Sequence, residues 1–138
     1  MGSCVKPEGW EKRLNQCIAE LTNKPFAWGI HDCSLFALDC VDAQLNTSFA
    51  KDWRGKYRSM TGAYRILDGA GGYSEILKGY GFEKKPIEQA KRGDLAFIGG
   101  DLAMGVVIGD RIIATAQDGL KSVPISRALY IWELPCHQ

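Results

Sequence analysis

The sequence predicts an α+β domain, helical in its first half and built of strands in its second. Its 138 residues fit one compact unit. Apolar residues recur at helical spacing up to about residue 80. From about residue 94 onward, short runs of β-branched and aromatic residues alternate with Gly-containing turn pairs. Helices followed by strands describe α+β packing rather than a doubly wound parallel sheet. The expected architecture is therefore a single domain, residues 1–138, with a helical part over about 8–80 and a sheet part over about 94–134. N-terminal helices would pack on a five-stranded, mainly antiparallel sheet.

The elements follow in order. Trp10, Leu14, Cys17, Ile18 and Leu21 form one apolar stripe beside charged Glu11, Lys12 and Arg13. This first helix should stop near Asn23, because Pro25 disfavours helical geometry at Lys24. Pro25 to Asp32 reads as a loop. A second stripe, Cys33, Phe36, Ala37, Cys40, Val41 and Gln44, begins where Asp32 or Ser34 can cap a helix. A third helix is expected over Thr61–Gly72, stopped by Gly71-Gly72, and a short fourth over Ser74–Gly79. The strands are Leu95–Ile98, Met104–Ile108, Arg111–Ala116, Leu120–Val123 and Leu129–Leu134. Gly99-Gly100, Gly109-Asp110 and Asp118-Gly119 mark tight connections between several of them.

Composition narrows the function. With 46% hydrophobic and 24% charged residues the chain can bury an ordinary core. Lys and Arg number 17 against 16 Asp and Glu, a net charge of +1 that supplies no field for a polyanion, so nucleic-acid binding is disfavoured. The five cysteines, at 4, 17, 33, 40 and 136, include no CxxC pair, which predicts neither a disulfide framework nor a structural zinc site and suits a reducing compartment. The N-terminal residues lack the apolar core of a secretory signal, and no stretch of about 18 uncharged apolar residues is present to span a bilayer. Synthesis and folding in a cytosol are expected, with no cofactor and no metal.

Cys33 is the residue of greatest chemical interest. At the start of a helix, a thiolate faces unpaired backbone N–H groups and the positive end of the macrodipole, both of which lower a thiol pKa. The competing reading is a small apolar residue in the helix stripe. A thiolate nucleophile also needs a base. The sequence offers His31 and His137. His31, two residues before Cys33, needs a special turn to serve; loop hydrogen bonding or stacking is the alternative. His137 sits beside Cys136 at the end of the sequence. The spacings of His31 with Cys33 and of Cys136 with His137 do not match paired metal ligands. Gly69-Ala-Gly-Gly72 and Gly99-Gly100 match no phosphate-binding loop. Lys51 to Arg58 either contacts phosphate or sugar, or is a connection with Trp53 and Tyr57 tucked against the domain.

The segment Pro25-Phe-Ala-Trp-Gly-Ile-His-Asp-Cys33-Ser-Leu-Phe36 resembles the nucleophile signature of the NlpC family of papain-like peptidoglycan hydrolases, in which a Trp-Gly loop leads to Asp-Cys-Ser at a helix start. Gly93-Asp-Leu-Ala-Phe97 is similar to the strand that opens that family's sheet, and Gly105–Gly109 and Ile112–Ala116 to its next two strands. More narrowly, His31-Asp-Cys33, Arg54-Gly-Lys-Tyr57 and Asp118-Gly-Leu120 resemble a compact subfamily of tailed phages, prophages and gene-transfer particles, whose genes lie beside those for tail-tip hub proteins. The sequence departs from the family at one important place: the strand position of the catalytic histidine holds Ala103. The next strand's polar orienting position corresponds to Ala114 or Thr115.

The resemblance thus implies a papain-like fold with a degenerate site, Cys33 as the nucleophile position and His31 as the weak remaining base candidate. It implies a structural component of a phage tail tip or baseplate that binds or plugs hub proteins, present in the host cytoplasm during assembly and then in the virion tail. The alternative is an active peptidoglycan endopeptidase using Cys33 on peptidoglycan peptides. A third option is a papain-like binding or inhibitor domain with a ligand beside Cys33.

Overall fold

The computed structural model describes residues 5–99 and 103–136. Cys4, Gly100 and His137 lie outside the described residues. Four helices, α1 (Trp10–Leu21), α2 (Cys33–Leu45), α3 (Met60–Ala70) and α4 (Tyr73–Tyr80), precede most of the sheet. All four fall within about two residues of the sequence expectation at their starts and ends, because capping and stop signals are local. Asp32 caps α2, accepting from Leu35 N–H at 3.0 Å, and Ser59 caps α3, accepting from Gly62 N–H.

The strands are β1 (Glu83–Lys85), β2 (Leu95–Phe97), β3 (Met104–Ile108), β4 (Arg111–Ala116), β5 (Gly119–Pro124) and β6 (Tyr130–Glu133). They form one antiparallel sheet in the order β1-β6-β2-β3-β4-β5. Two expectations need correction. The sheet has six strands rather than five and begins at Glu83 rather than about residue 94. Glu83-Lys84-Lys85 has no apolar alternation; it is a strand because its backbone pairs with Glu133, Trp132 and Ile131 of β6. In addition, β6 does not continue the β2–β5 meander but returns to lie between β1 and β2.

α2 is the pivot of the core. Cys33, Leu35, Phe36, Ala37, Leu38, Cys40, Val41 and Gln44 are all buried on it, so the helix is enclosed on more than the single face its stripe suggested. One side meets Leu95, Met104, Val106 and Trp132 of the sheet together with Leu14 of α1; Leu35 and Leu38 meet Ala50 in the 3₁₀ turn Phe49–Asp52. Each fully buried Leu or Phe contributes about 1.5–3 kcal/mol of burial free energy, which holds α2 and its first turn in place. Gln44 fills its buried site with hydrogen bonds to the Cys40 and Gly93 carbonyls.

On the other side of the sheet, a second cluster of Ala96, Ile98, Val107, Ile112, Ala128 and Ile131 completes the packing. The Asp94 carboxylate, buried before β2, accepts from Lys91 N–H and pairs with Lys85 Nζ at 2.8 Å, which also meets Glu133. Cys17, Cys33 and Cys40 are free thiols. Cys136, by contrast, is disulfide-bonded, against the expectation drawn from the odd cysteine count.

Candidate functional site

The loop before α2 is shaped by short-range hydrogen bonds. Ala27 and His31 form an antiparallel bridge through Ala27 N–H to His31 O at 2.9 Å and His31 N–H to Ala27 O at 2.8 Å. The tight return places Gly29 at φ +77°, a region that a side chain resists. Asp32 then binds with both oxygens: Oδ1 accepts from Leu35 N–H, while Oδ2 accepts from Gly29 N–H at 3.0 Å and from Tyr57 Oη–H at 2.5 Å. Asp32 is therefore a cap, a loop clasp and the anchor of Tyr57.

The segment Arg54–Tyr57 locks onto this loop. Gly55 N–H donates to Gly29 O at 2.8 Å, Arg54 Nε to Ile30 O at 3.1 Å, and Arg54 Nη2 to Asp39 Oδ2 at 2.6 Å. A Cβ on Gly29 would sit 1.8 Å from the Tyr57 carbonyl oxygen. Trp53 donates from Nε1 to Tyr80 Oη. The structure thus favours the tucked reading of this segment: Trp53 and Tyr57 support the site from behind and beside it.

A cleft of about 380 Å³ opens beside the start of α2. Cys33 and Ala103 both line it, with Phe26, Trp28, Tyr64 and Tyr73 supplying aromatic walls and Gln117 and Asp118 a polar edge. Cys33 is only 8% exposed. Burial pushes its thiol up from the ordinary value, against hydrogen bonds from Met104 and Ser34 backbone N–H groups, and the neighbouring Asp32 charge adds to the rise. Desolvation therefore wins over the helix terminus, the reverse of the activation expected from helix position alone. Ser34 Oγ and Tyr73 Oη share a 2.5 Å hydrogen bond at the cleft wall. Burial also raises the Tyr57 and Tyr73 phenols, so both are neutral hydrogen-bonding groups at physiological pH.

His31 is placed elsewhere. It is 1% exposed, is not among the residues lining the cleft, and its Nε2 faces Thr115 Oγ1 of β4 at 3.3 Å. Its ring meets Phe36 edge to face at 6.2 Å, and among the described residues its buried Nδ1 has no hydrogen-bond partner. Burial lowers its pKa, aided by Lys24, so the imidazole is held neutral. The structure brings Cys33 and Ala103 to one cleft and pairs His31 with Thr115 behind it. Sequence reasoning reached Asp32 and Ser34 as helix-cap candidates, of which Asp32 is the cap, but missed Tyr73, whose contact with Ser34 spans 39 residues. Among the described residues, no group of three or more His, Cys, Asp or Glu is arranged to hold a metal ion.

In chemical terms, the cleft offers aromatic faces, neutral hydroxyls and a protonated thiol, a set suited to holding a ligand. A family model described as a domain of unknown function, DUF6950, matches residues 5–134. No curated protein and no solved structure matches the chain.

Proposed function

The chain belongs to the DUF6950 family of domains of unknown function, and from its own cleft we propose a catalytically silent, papain-like domain of the NlpC type that serves as a structural part of a phage or prophage-derived tail tip or baseplate. There it binds or plugs the hub proteins. One observation carries the loss of catalysis: the cleft sets the Cys33 thiol beside Ala103, while His31 faces Thr115 outside the cleft lining. Without a base on the thiol, general-base assistance of ~10²–10⁴-fold is missing. Support for the tail-associated reading comes from the three short motifs that suggested it. Asp32 and Cys33, Tyr57, and Asp118 all line the same cleft, so the motifs form one built feature.

A second reading is favoured by the Ser34 and Met104 backbone N–H groups that face the sulfur. Donors of that kind can stabilise an oxyanion if Cys33 attacks a peptide bond. In that case the chain is a peptidoglycan endopeptidase whose base comes from a partner. Purified protein, alone and with hub protein, is incubated with peptidoglycan, and particles are assayed for the chain at fixed low copy number. The structural reading expects no soluble fragments and stable incorporation. Fragment release abolished by Cys33→Ala establishes the enzyme instead, and absence from intact particles overturns the tail assignment.

A further inference from the structure

The α1–α2 interface carries a thiol pair that the cleft does not use. Arg13 on α1 fixes the register of the two helices: its Nε donates to Ala43 O at 2.7 Å and its Nη2 to Gln44 O at 3.0 Å. One turn further along α1 stands Cys17, and one turn back along α2 stands Cys40. Antiparallel packing therefore sets them opposite each other, with Cys17 packed against the core cluster that holds Cys40. Both are free thiols. Cys40 lies within the core, whereas Cys17 is half-buried and lines an open groove of about 630 Å³ together with Gln16, Glu20 and Asp39. Solvent reaches one member of the pair, and that member packs against the cluster that contains the other.

We propose that Cys17 and Cys40 form a redox modification site, in which a small disulfide such as oxidised glutathione converts the two thiols into a disulfide joining α1 to α2. Cys17 reacts first by virtue of access, since it lines the open groove while Cys40, whose thiol is raised by the neighbouring Cys17 and by burial, lies in the core. The Cys17 thiolate attacks one sulfur of the small disulfide, forming a mixed disulfide and expelling one thiolate. Cys40 then gives its proton to that thiolate. Its sulfur attacks Cys17 Sγ, forming the Cys17–Cys40 bond and expelling the second thiolate, which takes up the proton released by Cys17. Two protein thiols are oxidised and one small disulfide is reduced to two thiols. Cys33 is not a competing partner for Cys40: seven residues along α2 correspond to about 10.5 Å of helix, beyond disulfide reach.

The folded chain is incubated with oxidised glutathione, alkylated without reduction, and cleaved before aspartates. Cleavage at Asp32 and Asp39 places Cys17, Cys33 and Cys40 in three different peptides. The expected result is a Cys17-containing peptide linked to the Cys40 peptide, with a melting temperature raised by about 10 °C through closure of the intervening loop. Cys33→Ser retains both effects; Cys17→Ser, at a half-buried position, and Cys40→Ser remove them. Glutathione remaining on Cys17 with Cys40 still alkylatable, or no modification of either thiol, overturns the proposal. Since Cys17→Ser leaves the core thiol in place, it keeps the test decisive if Cys40→Ser does not fold.

Discussion

Replacing Gly29 by alanine tests whether the clasp between the two site loops is as tight as its geometry implies. The new Cβ would lie 1.8 Å from Tyr57 O, and the residue would keep φ +77°. A side chain in left-handed geometry costs about 1–2 kcal/mol. Relieving the collision requires the loop to withdraw, weakening the Gly55 N–H bond to Gly29 O and the Gly29 N–H bond to Asp32, 2.8 and 3.0 Å long. At about 0.5–1.5 kcal/mol each, the total reaches about 2–5 kcal/mol. Gly55 is the control, since it also has positive φ, +81°, but among the described residues no atom lies within 4 Å of its virtual Cβ. Gly55→Ala should cost only the conformational part. In urea titrations with a slope of about 1.5 kcal/mol/M, the midpoint should fall by about 2 M for Gly29→Ala and by about 1 M or less for Gly55→Ala. Equal midpoints for the two variants would show that the loops are not locked by this contact.

Other expectations follow from charge and burial. Because burial raises the Cys33 thiol, alkylation by iodoacetamide near pH 7.5 should run about tenfold or more slower than for free cysteine, with Cys17 modified first; peptide mass spectrometry over time reads this, and fast labelling of Cys33 refutes it. The lowered His31 pKa means that the unfolded chain binds a proton near pH 6.5 while the folded chain does not, so stability falls as pH drops below about 6.5, by at most about 1.4 kcal/mol per pH unit. Asp94, whose folded pKa is raised, acts in the opposite direction at lower pH, so the His31 effect is read between about pH 6.5 and 5. His31→Gln should flatten that window in pH-dependent urea titrations, and an unchanged slope would assign the effect elsewhere. Lys85→Met leaves the buried Asp94 carboxylate without its 2.8 Å cation and should cost about 3–5 kcal/mol; a loss below about 1 kcal/mol would mean that the backbone donor Lys91 N–H and the charge of Lys6, which also acts on Asp94, suffice.

Much of the fold was legible because its signals are local. The Asp32 cap, the αL stop at Gly71 and the Gly109-Asp110 turn each act within a few residues, and the elements they bound lie where the sequence indicates. β1 was not legible, since Glu83-Lys84-Lys85 owes its extended form to β6, some 48 residues away. The position of β6 inside the sheet was hidden for the same reason. At the site, Cys33 stood out by its place at a helix start, but its protonation is decided by how deeply α2 sinks into the core. The two candidate roles for His31, base or loop hydrogen bonding, differ by a contact with Thr115 spanning 84 residues. Local spacing cannot encode such a contact.

The placement of β6 has a consequence for how the chain acquires its shape. β1 can pair with nothing in the sheet until Tyr130–Glu133 arrives, and β2 keeps an open side until then. During synthesis from the N-terminus, the β2–β5 meander can assemble early, while the slot between β1 and β2 waits for a strand made after all the others. That vacancy is an unpaired edge flanked by the apolar side chains of Leu95 and Phe97. Nascent or truncated chains ending before residue 130 should therefore be the aggregation-prone species, with completion of the sheet set by a long-range closure step.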